Sequence, residues 1–170
     1  MKKTLKVLND MVEMGLIEQY AIGGGIAVLY YTEPVLTYDL DVFCLLPVDK
    51  SELITLSPIY EYLQKKGYRE DGEHIIIEGI PVQMIPAYNE IIEEALNEAA
   101  EVKYQQIKTR IVRVEHLLAI MLQTYRPKDR ERILLLLDET QIDMIYLEDV
   151  LKRHGLMKKW LTFRMRYNEK

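Results

Sequence analysis

The sequence predicts an α+β fold: a mixed β-sheet flanked by helices, followed by a helical C-terminal part. Three observations carry this. Short apolar runs bounded by Gly and Pro alternate with segments of helical period in the first 114 residues. Two of those runs flank Glu78-Gly79, the signature of a hairpin. From Glu115 onward the apolar residues recur only at helical spacing. The chain is therefore divided near residue 114, into a sheet core (1–114) and a helical part (115–170) packed on it as one compact unit.

Residues 4–18 read as a first helix, with Leu5, Leu8, Met11, Val12 and Leu16 near helical period. Tyr20–Gly23 reads as a short strand. Gly24 to Tyr31 reads as a helix that ends before Pro34. Asp39–Leu46 reads as a buried strand, and Pro58–Lys66 as an amphipathic helix closed by Gly67. His74–Ile77 and Ile80–Ile85 form the hairpin. Residues 88–99 are helical. Val102–Ile107 and Arg110–Val114 read as short strands. Helices follow at about 115–124, 127–138, 146–154 and 156–166.

With 49% hydrophobic residues in 170, the chain can bury a substantial core. No apolar run approaches the ~18–20 residues of a membrane span, so no membrane association is expected. Asn9, Asp10 and Glu13 interrupt any apolar stretch of a signal peptide. The single cysteine, Cys44, excludes an internal disulfide and suits a reducing cytoplasm; its place in an apolar strand marks it as a core thiol. A net charge of −5 argues against wholesale nucleic-acid binding. The charge is uneven. Residues 152–170 are basic, and residues 90–101 hold five glutamates and no base. Solvated helix faces account for both; contact of the basic tail with an RNA backbone or an acidic partner is the alternative.

The chemistry concentrates at Gly24-Gly25 and at Asp39-Leu40-Asp41. On a strand, residues i and i+2 share a face, so Asp39 and Asp41 point one way while Leu40 and Val42 point into the core. Two carboxylates side by side repel unless a cation lies between them, and hard divalent ions prefer such oxygen ligands. A glycine turn opening a helix offers unpaired backbone N–H groups to phosphate. A metal site beside a phosphate site points to phosphoryl or nucleotidyl transfer.

These residues resemble the signature of the nucleotidyltransferase superfamily: Gly-Gly or Gly-Ser, a spacer, then Asp-x-Asp. The chain is most similar to the small AbiEii-like branch, associated with abortive infection and toxin–antitoxin pairs. Gly24-Gly25-Ile26-Ala27 matches that branch's glycine pair, Thr37 its Thr or Ser two residues before the first Asp, and Arg126-Pro127-Lys128-Asp129 its Arg-x-Lys-Asp. The resemblance implies Mg²⁺ (or Mn²⁺) on Asp39 and Asp41, with a nucleoside triphosphate (NTP) as substrate. It further implies Gly24, Gly25, Thr37, Arg126 and Lys128 at the nucleotide. RNA, or a cognate antitoxin protein, becomes a candidate partner.

The sequence also departs from that pattern. The family places a third carboxylate on a later strand, where this chain has Val82-Gln83-Met84-Ile85. Gln83 is neutral and accepts no proton near pH 7. Met121 and Arg132 stand where the branch often has Lys and a second Asp. Glu73 and Glu78 are nearby acids without a spacing argument. Two functions therefore remain open: a nucleotidyltransferase, or a nucleotide- or partner-binding module on the same fold. His74, His116 and His154 lack metal-ligand spacing and read as structural or surface residues. Tyr30, Tyr31 and Tyr38 flank the expected site and read as packing or base-stacking groups. Trp160, Phe163 and Tyr167 read as a packing stripe.

Overall fold

The computed structural model describes residues 1–32, 37–47 and 55–168. Along them run α1 (Lys2–Glu13), β1 (Gln19–Ile22), α2 (Gly24–Tyr31), β2 (Leu40–Leu45), α3 (Ser57–Lys65), β3 (Arg69–Asp71), β4 (His74–Ile77) and β5 (Ile80–Pro86). Then come α4 (Glu90–Asn97), β6 (Ala100–Tyr104), β7 (Ile107–Ile111), α5 (Val114–Thr124), α6 (Pro127–Glu139), α7 (Met144–Arg153) and α8 (Met157–Asn168). The strands form one mixed sheet in the order β3-β4-β5-β2-β1-β7-β6. β2 lies at its centre, antiparallel to β1 and parallel to β5. Pro34 and Lys170 lie outside the described residues.

Alternation fixes which face of β2 is buried. Leu40, Val42 and Cys44 are buried, as are their neighbours Val82, Met84 and Ile75. On this side α1 packs through Leu5, Leu8 and Met11, and the Thr4 hydroxyl donates to the Ile77 carbonyl at 3.2 Å. Cys44 is a core thiol, its pKa pushed up to about 12 by burial. The opposite face carries Asp41, Phe43, Gln83 and Ile85, against which α5 lays Leu117, Ile120 and Met121. The buried apolar residues form a core that includes Leu5 of α1 and Phe163 of α8. Among the described residues no helix is long and apolar enough to cross a membrane.

Two strand expectations need correction. The first hairpin turns at Glu78-Gly79, both with positive φ, as expected. The second turns at Gln105-Gln106 (φ 45° and 70°), so β6 and β7 start two to three residues before their expected places. Two glutamines in left-handed conformation give no compositional signal of a turn. The edge strand β3 was not expected: Arg69, Glu70 and Asp71 are all exposed, and only pairing with β4 makes them a strand.

Candidate active site

The glycine turn is bound to β2 through the Gly23 N–H, which donates to the Asp41 carbonyl at 2.9 Å. Gly24 follows at φ +55° and opens α2. No side chain caps that end of the helix among the described residues, so its first N–H groups remain available. A Cβ on Gly24 would overlap the Asp41 carboxylate. A Cβ on Gly25 would lie 2.5 Å from Thr37 Oγ1 and 2.7 Å from an Arg132 guanidinium nitrogen. The two glycines thus make room for an acid and for a hydroxyl–guanidinium pair, each against the helix N-terminus.

Asp39 immediately precedes β2, and Asp41 lies within it. Thr37 Oγ1 donates to Asp39 Oδ1 at 3.1 Å. Asp41 pairs in register with Gln83 on the parallel β5. Asp41, Gly24, Gln83, Arg126 and Arg132 line one cleft of about 190 Å³, walled by Phe43, Ile85 and α5. Lys128 and Arg132 are four residues apart on α6 and share a helix face; both act electrostatically on Asp41.

The two carboxylates differ in proton affinity. Burial raises the Asp41 pKa and repulsion from Asp39 adds to it, against the pull of Lys128, Arg132 and Arg126. Burial also opposes ionisation of Asp39. The Thr37 hydrogen bond, a backbone hydrogen bond and the charges of Lys128 and His74 outweigh it, and its pKa lies below the ordinary value. Asp41 is thus an acid held at a cost that a bound cation would relieve.

Arg126 plays two parts. It is the N-cap of α6, and its guanidinium donates to both Asp129 oxygens, at 2.9 and 3.2 Å. Asp129 is fully buried and also accepts from the Arg126 backbone N–H (3.0 Å) and Thr124 Oγ1 (2.7 Å). Arg126 still lines the cleft, so Asp129 orients a side chain that faces it. Met121 is buried in the cleft wall.

Other placements select among the alternatives that the sequence left open. Tyr31 donates to the Val112 carbonyl at 3.0 Å, and Tyr30 packs edge-on against Tyr31. Neither lines the cleft. Tyr38 is 76% exposed beside Asp39. Besides Phe43 in its wall, the aromatic that lines the cleft is Tyr88, 63% exposed in the loop after β5. The only sequence signal for it was an aromatic just beyond a strand parallel to the one carrying Asp41. The histidines, read as structural or surface residues, each stand beside an acid. His74 Nε2 lies 3.8 Å from Asp39 Oδ2. His116 and His154 both bond Glu94, at 2.9 and 2.8 Å. Glu94, drawn from the acidic run, also accepts from Arg153 at 2.5 Å, which joins α4 to α5 and α7. Trp160 stacks on Phe163, and Phe163 packs on Tyr167, as the packing stripe required.

The donor set suits one hard divalent ion. Asp39 and Asp41 supply carboxylate oxygens, whereas Gln83 supplies at most a neutral amide oxygen. Among the described residues no group of three or more His, Cys, Asp or Glu side chains is placed to hold a metal ion.

No protein-family model matches the sequence, and no curated protein does. Solved structures do match. An antigenic nucleotidyltransferase-like protein from Paracoccidioides brasiliensis superposes with a TM-score of 0.56 at 14% identity, over 93% of this chain and 92% of that one. The solution structure of the antibiotic-resistance factor ANT(2'')-Ia gives 0.51 at 18% identity, over 99% and 98%. The fold is nucleotidyltransferase-like.

Proposed function

We propose that the chain is a divalent-metal-dependent nucleotidyltransferase that moves a nucleoside monophosphate from an NTP to a hydroxyl acceptor. The observation that carries this reading is the meeting of opposite charges at one helix N-terminus. Asp41 fills the space beside Gly24, and Arg132 and Thr37 fill the space beside Gly25. An anion receives N–H groups and a guanidinium there, and a cation receives carboxylates alongside.

In the transfer, the acceptor oxygen bonds to the α-phosphorus and its hydroxyl proton passes to water. The bond from that phosphorus to the β-phosphate oxygen breaks, and pyrophosphate leaves. Asp39 and Asp41 would hold a divalent ion, which when bound would supply Lewis acidity at the phosphates. The α2 N-terminus, Arg132, Lys128 and the Asp129-oriented Arg126 hold the triphosphate and offset charge on the leaving group. Tyr88 offers an exposed ring at the cleft edge for a base or an acceptor. RNA, a protein side chain and a small molecule all carry the required hydroxyl. RNA fits the basic α8 and a role as a toxin component.

Gln83 favours a second reading, nucleotide binding without turnover, because the position in register with Asp41 carries no charge. Incubation with each α-labelled NTP, Mg²⁺ or Mn²⁺ and total RNA separates the two. Label on an acceptor, lost in Asp41→Ala, supports transfer. NTP binding without label on any acceptor supports the binding module. Absence of NTP binding overturns both.

A further inference from the structure

We propose that the edge strand β6 pairs antiparallel with β6 of a second copy of this chain, about a twofold axis at Val102, so that the two sheets join into one. The pairing is independent of the chemistry in the cleft.

The sheet has two edges, and they differ. β3 is three residues long and wholly charged, Arg69-Glu70-Asp71, which discourages a further strand. β6 runs for five residues, Ala100–Tyr104, without proline, and all but the half-buried Val102 are exposed. Beside it lies an apolar groove of about 280 Å³, lined by Leu5, Ile26, Tyr30, Val102, Tyr104 and Ile111. Tyr30 and Tyr104 expose their rings there. An open edge next to exposed apolar surface is a template for another strand.

Backbone geometry sets which groups of β6 are free. Gln105-Gln106 is a two-residue turn with both φ positive, so Tyr104 and Ile107 form a hydrogen-bonded pair. Alternation makes bonded pairs of Val102↔Thr109 and Ala100↔Ile111 as well. The N–H and C=O groups of Glu101 and Lys103 therefore point outward from the sheet. Lys108, opposite Lys103, behaves as a member of a non-bonded pair should. Its carbonyl turns away from β6 and accepts from Asn9 Nδ2 at 2.9 Å.

Charge then selects the partner and the register. In an antiparallel pair, outward-pointing residues must face outward-pointing residues. An axis at Glu101 would oppose two glutamates, and an axis at Lys103 two lysines. An axis at Val102 sets Glu101 against the partner's Lys103 and, by symmetry, Lys103 against the partner's Glu101. Opposite charges directly across a strand pair favour it, and like charges disfavour it. A single copy leaves these charges without such relief. Lys103 stands opposite Lys108 in the hairpin, and among the described residues neither Glu101 nor Lys103 is in an ion pair. On the groove face Tyr104 falls across from the partner's Ala100, a large ring against a methyl group, which carries the apolar surface across the joint.

Analytical ultracentrifugation of the whole chain tests the pairing. A joint of one short strand is a small interface, so the wild type should pass from monomer to dimer with a Kd of roughly 1–100 µM. Glu101→Lys and Lys103→Glu each oppose like charges, and each should weaken dimerisation about tenfold or more. Mixed in equal amounts, those two variants regain both charge pairs and should form a heterodimer. Val102→Cys should cross-link into a covalent dimer under copper phenanthroline, because the α-carbons of a non-hydrogen-bonded pair stand about 4.5 Å apart. Glu101→Cys should not. A wild type that stays monomeric at about 500 µM overturns the proposal and leaves the edge to a strand of another protein. Undiminished dimers in both charge variants, a mixture that stays monomeric, or growth into open chains of copies overturn it too. Dimers of Val102→Cys that fail to cross-link overturn the axis at Val102. The cross-link reads the register even where a charge variant folds poorly.

Discussion

The Asp41 carboxylate occupies the volume that a methyl group on Gly24 would need. Helix N-terminus and acid approach this closely only because that residue has no side chain. The positive φ at Gly24 adds a backbone reason for glycine. Gly24→Ala should destabilise the protein by about 1–3 kcal/mol, measured by chemical denaturation. Gly25→Ala should leave the fold largely intact, but displace Thr37 and Arg132. Its NTP affinity should fall roughly tenfold or more by calorimetry.

Metal and nucleotide should stabilise the native state together. Mn²⁺ with an NTP at a hundredfold excess over Kd should contribute about 2.7 kcal/mol, or roughly 5–10 °C in Tm. Asp39→Ala combined with Asp41→Ala should abolish the shift. An undiminished shift in the double variant would move the site elsewhere.

Gln83→Asp should place a third carboxylate in register with Asp41. Divalent-ion affinity should rise about tenfold. If lack of an acid limits transfer, labelling should rise by roughly one to two orders of magnitude. Unchanged affinity would show that the position does not bear on the ion.

Asp129→Ala should unfold the start of α6. It leaves the Arg126 backbone N–H, Thr124 and a guanidinium without their acceptor, at a cost of about 2–4 kcal/mol. Asp129→Asn keeps one acceptor oxygen and should cost less. Urea midpoints of the two variants test the ranking.

Acid should loosen the joint at Glu94. Burial opposes its charge, but the bonds from Arg153, His116 and His154 prevail and hold its pKa down at about 2, from an ordinary 4.5. The folded value is depressed, so this stabilisation is complete above pH 4.5 and is lost as pH falls toward 2. His116 acts in the same direction at higher pH. Burial lowers its pKa below the ordinary 6.5, so folding is penalised once pH falls below that value. Denaturation from pH 7 to 3 should show falling stability, with the low-pH part of the slope reduced in Glu94→Gln.

The glycine pair, the Asp-x-Asp strand and the Glu78-Gly79 hairpin were legible in sequence because each rests on local chemistry: a special φ, a period of two, a turn dipeptide. The Gln105-Gln106 turn was not, since nothing in two glutamines announces left-handed backbone. His74 was read as a structural or surface residue, because its approach to Asp39 is made across the sheet, which a linear spacing does not contain. Glu94 was read as one of several solvated acids for the same reason, with its partners 22, 59 and 60 residues away. Arg132 was visible as a departure from a family pattern. Its position over Gly25 emerged only when α6 was packed beside α2.

That packing places a strict demand on the connector between α5 and α6. Tyr125 turns the chain at φ +54° and Arg126 starts the next helix at once. Each residue added there would rotate α6 by about 100° relative to its neighbours. Lys128 and Arg132 would swing away from the aspartates together, and Asp129 would leave its socket. The connector should therefore be more tolerant of a changed side chain at Tyr125 than of any change in length, so that descendants of this chain diverge there by replacement and never by insertion.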